Sequence, residues 1–220
     1  MATMTFSTLT QDLKDWMEND GTEFSNETSN FISLAEHRIA RDVDPYAFHE
    51  SANSTFNTGD RFVSKPVDAR VIFHFLYLDS SGNRTFLEER TDEFIYDYSP
   101  NTSNTGTPKY WANYSDTAIL VGPTPNADLT VEMTYSRRLA ELSSNNATNW
   151  LTENAQDLLL YGCLMEAATF TKNREDYAVY TTRYQAAVES VNNQARRRRR
   201  DDFTAPANVM GENYLKANTQ

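Results

Sequence analysis

Side chains that could carry out chemistry are few and widely spaced in this 220-residue chain. His37, His49 and His74 have no convergent spacing, so they indicate neither a catalytic base nor a metal site. The acidic pairs Glu88-Glu89 and Asp92-Glu93 fall on a predicted hairpin, where a solvated strand face explains them better than two catalytic carboxylates. These residues predict no metal and no acid–base catalysis.

Sequence motifs for phosphate binding or nucleophilic catalysis are missing as well. The chain has only seven glycines and contains no glycine-rich phosphate loop, no HExxH and no nucleophile elbow. Its single cysteine, Cys163, lies in an apolar helical stretch, so no disulfide can form within the chain. We therefore expect no enzyme and no cofactor.

The strongest local charge is the run of five arginines, Arg196, Arg197, Arg198, Arg199 and Arg200. It stands in a chain whose formal net charge is −11, and an acidic protein repels a phosphate backbone. Successive residues of a helix are rotated by about 100°, so five arginines surround the helix and form a collar of charge. A solvated helix end and a partner-binding or DNA-facing end both remain open, and a nuclear localisation signal has no other support.

The elements that must position these residues begin with two helices. Leu9, Leu13, Trp16 and Met17 recur at helical spacing, and a second helix is predicted from about Ser29 to Arg41. From about Phe48 to Arg138 the period changes to short runs of aromatic and β-branched residues separated by turn compositions. The predicted strands lie in RFVSKP, ARVIFHFLYLD, NRTFLEER, EFIYDYS, TAILVG and LTVEMTYSRR.

Two long helices follow the strands. The first opens at Thr152 or Asn154 and continues to about Thr171, and its middle is apolar nearly all round. A bundle centre or a subunit interface would cover it, and its run of apolar residues is much shorter than the roughly 20 that a membrane span needs. The second runs from about Arg174 to Arg200 with Tyr177, Tyr180 and Tyr184 on one face, which favours packing or an interface over base stacking.

This order of elements predicts an α+β fold: a helical bundle with an inserted antiparallel β-sheet or sandwich and an extended C-terminal arm. The flanking helices need each other to bury their apolar faces, so the strands interrupt the bundle. The predicted segments are N-terminal bundle helices over 1–47, an inserted β region over 48–140, two long C-terminal helices over 141–200 and an arm over 201–220.

The C-terminal half resembles head–tail adaptor (head-completion, or tail tubular A-like) proteins of short-tailed bacteriophages. The resemblance covers roughly residues 108–200, and the N-terminal helices agree with it by their order. It is carried by the Tyr110-Trp111 pair, the Pro123-x-Pro125 turn, a strand ending in Tyr135 before Arg137-Arg138, the Asn149-Trp150-Leu151 group, the helix DLLLYGCLMEA and the tyrosine-rich helix that runs into arginines.

The resemblance implies a structural virion protein at the neck, assembled in the bacterial cytoplasm. It implies a homo-oligomeric ring, twelvefold in this family, between the portal and the tail nozzle, with tail fibres as a further partner, viral DNA passing through non-specifically and no membrane. The residues then expected to dock the portal are Arg196, Arg197, Arg198, Arg199, Arg200, Phe203, Val209, Met210, Tyr214 and Leu215. Those expected in subunit packing are Trp150, Leu158, Leu159, Tyr161, Leu164, Tyr177, Tyr180 and Tyr184.

Two other functions compete with this one. The arginine run and the tyrosines could bind nucleic acid, with an affinity that falls steeply with salt. The aromatic strands alone would suit a domain that binds a cell-surface ligand. The absence of a catalytic motif favours an assembly protein, with nucleic-acid binding through Arg196–Arg200 as the alternative.

Overall fold

The structure, a computed structural model, describes residues 4–199 and contains a helical bundle joined to a β-sandwich. The bundle is formed from the two ends of this range, and the sandwich lies between them in sequence. The helices are α1 Phe6–Trp16, α2 Thr22–Asp42, α3 Asp92–Tyr98, α4 Trp150–Asn154, α5 Gln156–Phe170 and α6 Arg174–Arg199. All but α3 belong to the bundle, and a 3-10 turn, Pro45–Phe48, leads from α2 into the strands.

Local capping chemistry sets several helix boundaries. Thr5 caps α1 through a reciprocal pair of hydrogen bonds with Thr8. Asn149 caps α4, since its side chain accepts hydrogen bonds from the backbone N–H groups of Leu151 and Thr152. The predicted opening at Thr152 or Asn154 agrees within a few residues with the start of α5 at Gln156, but the prediction did not separate the short helix α4 from it.

The second helix is longer than predicted, because α2 begins at Thr22 and not near Ser29. Its additional turns bury Phe24 and Thr28. The Phe24 ring packs against Phe31 with 5.4 Å between ring centroids and against Phe170 at the end of α5. The helix therefore starts seven residues earlier than the sequence predicts, and these residues extend its apolar face.

The apolar helix α5 lies at the centre of the bundle, where α2 and α6 cover it. Gly162 lets these helices approach closely, since a Cβ there would lie 3.3 Å from the Cβ of Ala35 and 3.5 Å from the Tyr184 ring. The buried residues of the bundle core, among those that the structure describes, come from before position 49 and after position 141. That composition supports the prediction that the strands interrupt a helical bundle, while the exact segment boundaries stay a prediction.

Within the described residues, ten strands form two four-stranded sheets and one short pair. The first sheet has the order β1-β10-β3-β4, the second β2-β8-β7-β5, and β6 pairs with β9. Most pairings are antiparallel, but β5–β7 and β6–β9 are parallel. The strands are β1 His49–Phe56, β2 Phe62–Ser64, β3 Ala69–Leu78, β4 Arg84–Phe86, β5 Glu88–Glu89, β6 Thr105–Gly106, β7 Tyr110–Asn113, β8 Ala118–Gly122, β9 Thr124–Pro125 and β10 Leu129–Arg137.

The two large sheets enclose a second hydrophobic core, separate from that of the bundle. Strand β10 contributes Val131 and Met133 to this core, and Tyr135 on the same face is also buried, as the alternation in LTVEMTY predicts. The first sheet supplies Phe56 and Phe75 as well, and Trp111 and Val121 come from the second. The predicted fold class, α+β with a helical bundle and antiparallel sheets, is confirmed.

Two predictions within the β region are wrong. EFIYDYS, predicted as a strand, is the helix α3, because Thr91 caps it and Asp92 and Glu93 occupy its first turn, where acidic side chains favour a helix. The acidic pair Asp92-Glu93 is thus on a helix and not on a hairpin. The polar strand β1 was not predicted at all, because HESANSTF lacks an apolar alternation and is a strand only through its pairing with β10.

Candidate assembly surfaces

The residues predicted to pack between subunits divide into a buried and an accessible group. Leu158, Leu159 and Leu164 are completely buried inside the protomer. Tyr180 and Tyr184 also belong to the bundle core. These five residues have almost no surface to offer a neighbouring subunit. Accessible surface remains on Trp150 and Tyr161, which are half-buried, and on Tyr177, which is exposed.

The end of α6 is fixed by hydrogen bonds to the end of α2. The Tyr184 hydroxyl donates to Asp42 Oδ2 at 2.8 Å, and burial together with that carboxylate raises the pKa of Tyr184. About two turns further along, Asn192 Oδ1 accepts from the backbone N–H of Asp44 at 2.7 Å. These contacts direct the last turns of α6 past the 3-10 turn, toward the side of the bundle on which the sandwich begins.

Arg196 and Arg197 follow this anchored segment, and both side chains are exposed. Arg196 borders an open groove of about 340 Å³ along α6, whose wall includes Asp42, Glu189 and Asn193. Within residues 4–199, neither arginine takes part in an ion pair or hydrogen bond. The side chains of Arg198 and Arg199, and Arg200, Phe203, Val209, Met210, Tyr214 and Leu215, lie outside the described residues.

The bundle aromatic surface consists of Trp16, Tyr161 and Arg183 on the outside of the bundle, together with the buried Tyr180 that packs against Trp16. The Trp16 ring is 47% exposed and meets the rings of Tyr161 and Tyr180 edge-on, at centroid distances of 6.4 and 6.5 Å. Arg183 donates to the Tyr161 hydroxyl at 3.1 Å, and its guanidinium lies 5.6 Å from the centre of that ring. Aromatic and arginine side chains in contact are typical of protein interfaces.

A second exposed group lies on α3, on the outer face of the second sheet. The rings of Phe94 and Tyr98 stack at 6.0 Å, and Tyr110 of β7 meets both of them edge-on. Glu93 and Asp97 are exposed on the same short helix. We call Glu93, Phe94, Asp97 and Tyr98 the α3 ridge.

A basic cleft of about 460 Å³ lies at the seam between bundle and sandwich. Arg70 donates to the backbone carbonyl of Ala40 near the end of α2, where a positive charge favours the helix dipole. Arg137 is paired with Glu50 at 3.3 Å, whereas Arg41 and Arg138 are exposed beside it. The cleft is thus a local concentration of arginine on an acidic protein.

Glu36 lies in the wall of the same cleft and is almost fully buried. Its carboxylate accepts hydrogen bonds from Asn149 Nδ2 at 2.6 Å and from the backbone N–H of Leu142 at 3.2 Å. Burial raises the pKa of Glu36 to about 7, and these two hydrogen bonds only partly oppose that effect. The contacts hold α2 against the segment that connects β10 to α4, which is a structural role.

A metal site, a cysteine nucleophile and a membrane-spanning helix each have requirements that the described residues 4–199 do not meet. No group of histidine, cysteine and acidic side chains there could hold a metal ion. Burial raises the pKa of the Cys163 thiol, so this cysteine lacks the thiolate character of a nucleophile. No helix in the same range is long and apolar enough to cross a bilayer.

Sequence reasoning named Tyr161 and Tyr180 for subunit packing but missed Trp16 and Arg183 beside them, and it missed the α3 ridge entirely. The signal for α3 was present in Thr91 followed by Asp92 and Glu93, which is a helix start. No sequence signal distinguishes the exposed Trp16 from a core tryptophan, since its apolar spacing suits either position.

Fold and surfaces together define an assembly protein: a closed helical bundle and a sandwich, each with exposed aromatic side chains next to arginine. The chain belongs to the SU10 adaptor protein family, whose model matches residues 4–210. This is a family of phage head–tail adaptors, which confirms the resemblance drawn from the C-terminal sequence. No curated protein matches the chain.

Proposed function

We propose that this phage adaptor forms a ring in the virion neck, connects the portal to the tail nozzle and completes the DNA channel. The ring contains twelve copies and is assembled in the cytoplasm of the bacterial host. Its partners are the portal, the nozzle and tail fibres, and viral DNA passes through it without sequence-specific contacts.

The observation that carries this proposal is the bundle aromatic surface. The bundle already covers its own core, yet Trp16 remains 47% exposed and is held by ring contacts in one orientation. A large apolar side chain that is both exposed and fixed in position favours a protein contact. In a closed ring of subunits every copy makes such a protein contact. A head-to-tail interface between identical chains closes into a ring when its rotation permits.

Subunit packing in the ring is proposed for the accessible members of the predicted set, Trp150, Tyr161 and Tyr177. The Trp150 ring packs edge-on against Phe48 at 5.1 Å, which fixes its orientation. Tyr177 is 38% exposed near the start of α6. These aromatic side chains lie on the bundle, which is where the contacts between adaptor subunits are expected.

Portal docking is proposed for the end of α6 and the arm that follows it. Asp42 and Asp44 hold α6 in place as far as Asn192, so Arg196 and Arg197 project from a fixed base. The proposal extends to Arg198, Arg199, Arg200, Phe203, Val209, Met210, Tyr214 and Leu215, which supply cationic and apolar side chains. A partner with an acidic surface would neutralise the arginines and release their counterions.

Imaging the full-length chain by negative stain, alone and with the portal protein of the same phage, tests this function. We expect rings on the portal, and we expect the Trp16→Ser variant to form few of them. Val67→Ser is the matched control, because Val67 is an apolar residue that is 97% exposed and is not part of the bundle aromatic surface. A wild-type chain that stays monomeric with portal would contradict the proposal.

Removing residues 201–220 tests the arm separately. The truncated chain should keep its circular dichroism spectrum and lose portal docking. If it docks as well as the full chain does, the arm is not the portal contact.

A second candidate function, nucleic-acid binding, is favoured by the exposure of Arg196 and Arg197. It predicts that binding to double-stranded DNA falls steeply between low and physiological salt and is lost when Arg196–Arg200 are replaced by alanine. If that variant binds DNA as the wild type does, the arginines are not a DNA site.

A further inference from the structure

The short helix α3 is held rigidly against the second sheet. Ile95 is completely buried against Ala112 and Leu120, and a Cβ on Gly122 would lie 2.8 Å from Ile95 Cγ2. At the other end of the helix, the buried guanidinium of Arg61 donates to the backbone carbonyl of Ser99 at 2.9 Å. The side chains on the outer face of α3 therefore have a fixed base.

That outer face combines aromatic rings with carboxylates. Phe94 and Tyr98 are 38% and 44% exposed, and Glu93 and Asp97 stand four residues apart on the same helix. Between positions 88 and 97 the chain carries five carboxylates and one arginine, Arg90. The surface repels phosphate and favours a cation.

The cation that suits this surface best is a guanidinium. Arginine binds carboxylates in a planar, bidentate way and stacks on aromatic rings, whereas a lysine ammonium does neither as well. Arg90 already shows the geometry, with its guanidinium 5.7 Å from the centres of both the Phe94 and the Tyr110 rings. The outer side of Phe94 and Tyr98 leaves room for further arginines.

The chain itself supplies a matching group at the end of α6. Arg196 and Arg197 are exposed, and within residues 4–199 they have no carboxylate partner. They lie at the end of α6 in the bundle, whereas α3 packs on β7 and β8 of the sandwich. Each copy therefore carries both halves of a charge-complementary pair without joining them.

We propose that the α3 ridge of one protomer receives the arginine end of α6 from a second copy. This inference rests on the proposed ring and adds one of its subunit contacts. Such a contact is heterologous, because two different surfaces of the chain meet, and its repetition closes into a ring when the rotation between copies permits. Of the residues proposed for portal docking, it assigns Arg196 and Arg197 to the carboxylates of a neighbouring copy and leaves the portal to Arg198 and the residues that follow it.

Disulfide trapping between two variants of the full chain tests the contact directly. The only native cysteine, Cys163, is completely buried, so an added surface thiol reacts alone. Asp97→Cys protein mixed with Arg196→Cys protein under mild oxidation should give a disulfide-linked dimer. Asp97→Cys mixed with Glu153→Cys is the matched control, and we expect about tenfold less dimer from it, because no charge pairing brings those positions together.

An exchange of charges between the two surfaces is the second test of the contact. Glu93→Lys with Asp97→Lys, or Arg196→Glu with Arg197→Glu, should each reduce ring formation on the portal, and all four changes together should restore it. Glu153→Lys with Asp157→Lys is the matched control for charge. These two carboxylates are also four residues apart and exposed, but they do not belong to the α3 ridge.

The outcomes separate this contact from the proposed ring. Trapped dimer without any ring on the portal would support the α3 contact and contradict the adaptor ring. Rings that form without trapped dimer and without rescue by the charge exchange would overturn the α3 contact. In that case the arginines meet the portal, or the α3 ridge meets an arginine-bearing tail protein.

Discussion

Bundle and sandwich differ in how they use their large apolar side chains. In the bundle, α5 is apolar on all sides and is covered by α2 and α6, so most of the hydrophobic surface lies in one closed core. The sandwich buries one face of each sheet and covers the outer face of its second sheet with α3 alone. Phe94, Tyr96 and Tyr98 of that helix remain exposed.

This difference indicates that the bundle and the sandwich have different roles in a protein that acts by binding other proteins. The bundle is a scaffold whose exposed aromatic group, around Trp16, is small and fixed by ring contacts. The sandwich carries a mixed aromatic and acidic surface on a short helix that could be altered without disturbing either core. Two separate hydrophobic cores allow each surface to change independently.

The largest expected effect is in the bundle centre. Leu159→Ala removes a completely buried side chain from α5 and should lower the free energy of unfolding by about 2–5 kcal/mol. Urea unfolding followed by helical circular dichroism measures this, and Val179→Ala, at an exposed position on α6, should change little. If the two cores are separate, the fluorescence transition of Trp111, measured with Trp16 and Trp150 replaced by phenylalanine, moves less than the helical transition. Equal shifts would contradict their separation.

The corresponding change in the sandwich is Gly122→Ala. The new Cβ would lie 2.8 Å from Ile95 Cγ2, so α3 must move away from the sheet, at a cost of about 1–3 kcal/mol. Faster amide hydrogen exchange in α3, with no change in α5, is the expected result. Gly106→Ala is the control, since its Cβ would meet Pro123 at an ordinary 3.6 Å, and equal effects of the two changes would show that α3 is not tightly packed.

Glu36 gives the bundle a pH dependence near neutral pH, whereas hydrogen bonds lower the pKa values of the sandwich carboxylates Asp128 and Glu132. Its pKa is about 7 in the folded chain and 4.5 ordinarily, so the folded state holds the proton more tightly. This contribution to stability is present in full below about pH 4.5 and is lost as the pH rises through 7, a change of at most roughly 3 kcal/mol. Urea midpoints of Glu36→Gln should decline less between pH 5 and 8 than those of the wild type.

Glu23→Gln, at an exposed position of the same helix, is the control for this pH dependence. It should follow the wild-type profile. A wild-type slope that persists in Glu36→Gln would show that another group is responsible.

The smallest expected effects are those of two ion pairs. Arg38 donates to the largely buried Glu166 at 2.6 Å between α2 and α5, whereas Arg84 and Glu132 pair on the exposed side of the first sheet. Arg38→Gln should lower the urea midpoint slightly, and Arg84→Gln should leave it unchanged, because solvent screens an exposed pair. The reverse order would show that the sandwich depends on its surface charges more than the bundle does.

Periodicity was sufficient to predict the parts of the fold that bury a regular face. The helices α5 and α6 and the strand β10 repeat apolar residues at the period of their own geometry, and the sequence predicts them correctly. Strand β1 is polar and depends on its pairing with β10, which no local pattern encodes. The seven-residue helix α3 is rich in aromatic residues that favour strands, and its cap Thr91 outweighs them.

The candidate surfaces were less predictable than the fold, for a related reason. Tyr177, Tyr180 and Tyr184 share one predicted face, yet the first is exposed and the other two belong to the core. Exposure depends on where α5 and α2 stop covering α6, which is a property of the packed bundle. The same holds for Trp16, whose indole reaches the surface because α1 ends there.

Hydrogen–deuterium exchange of the full-length chain, alone and bound to the portal protein of its phage, tests the adaptor function most directly. The account predicts slower exchange at the end of α1 around Trp16 and in the last turns of α6, with no change in α5, which is already buried. Exchange that is the same with and without portal in all of these segments would contradict a role as a portal-bound adaptor.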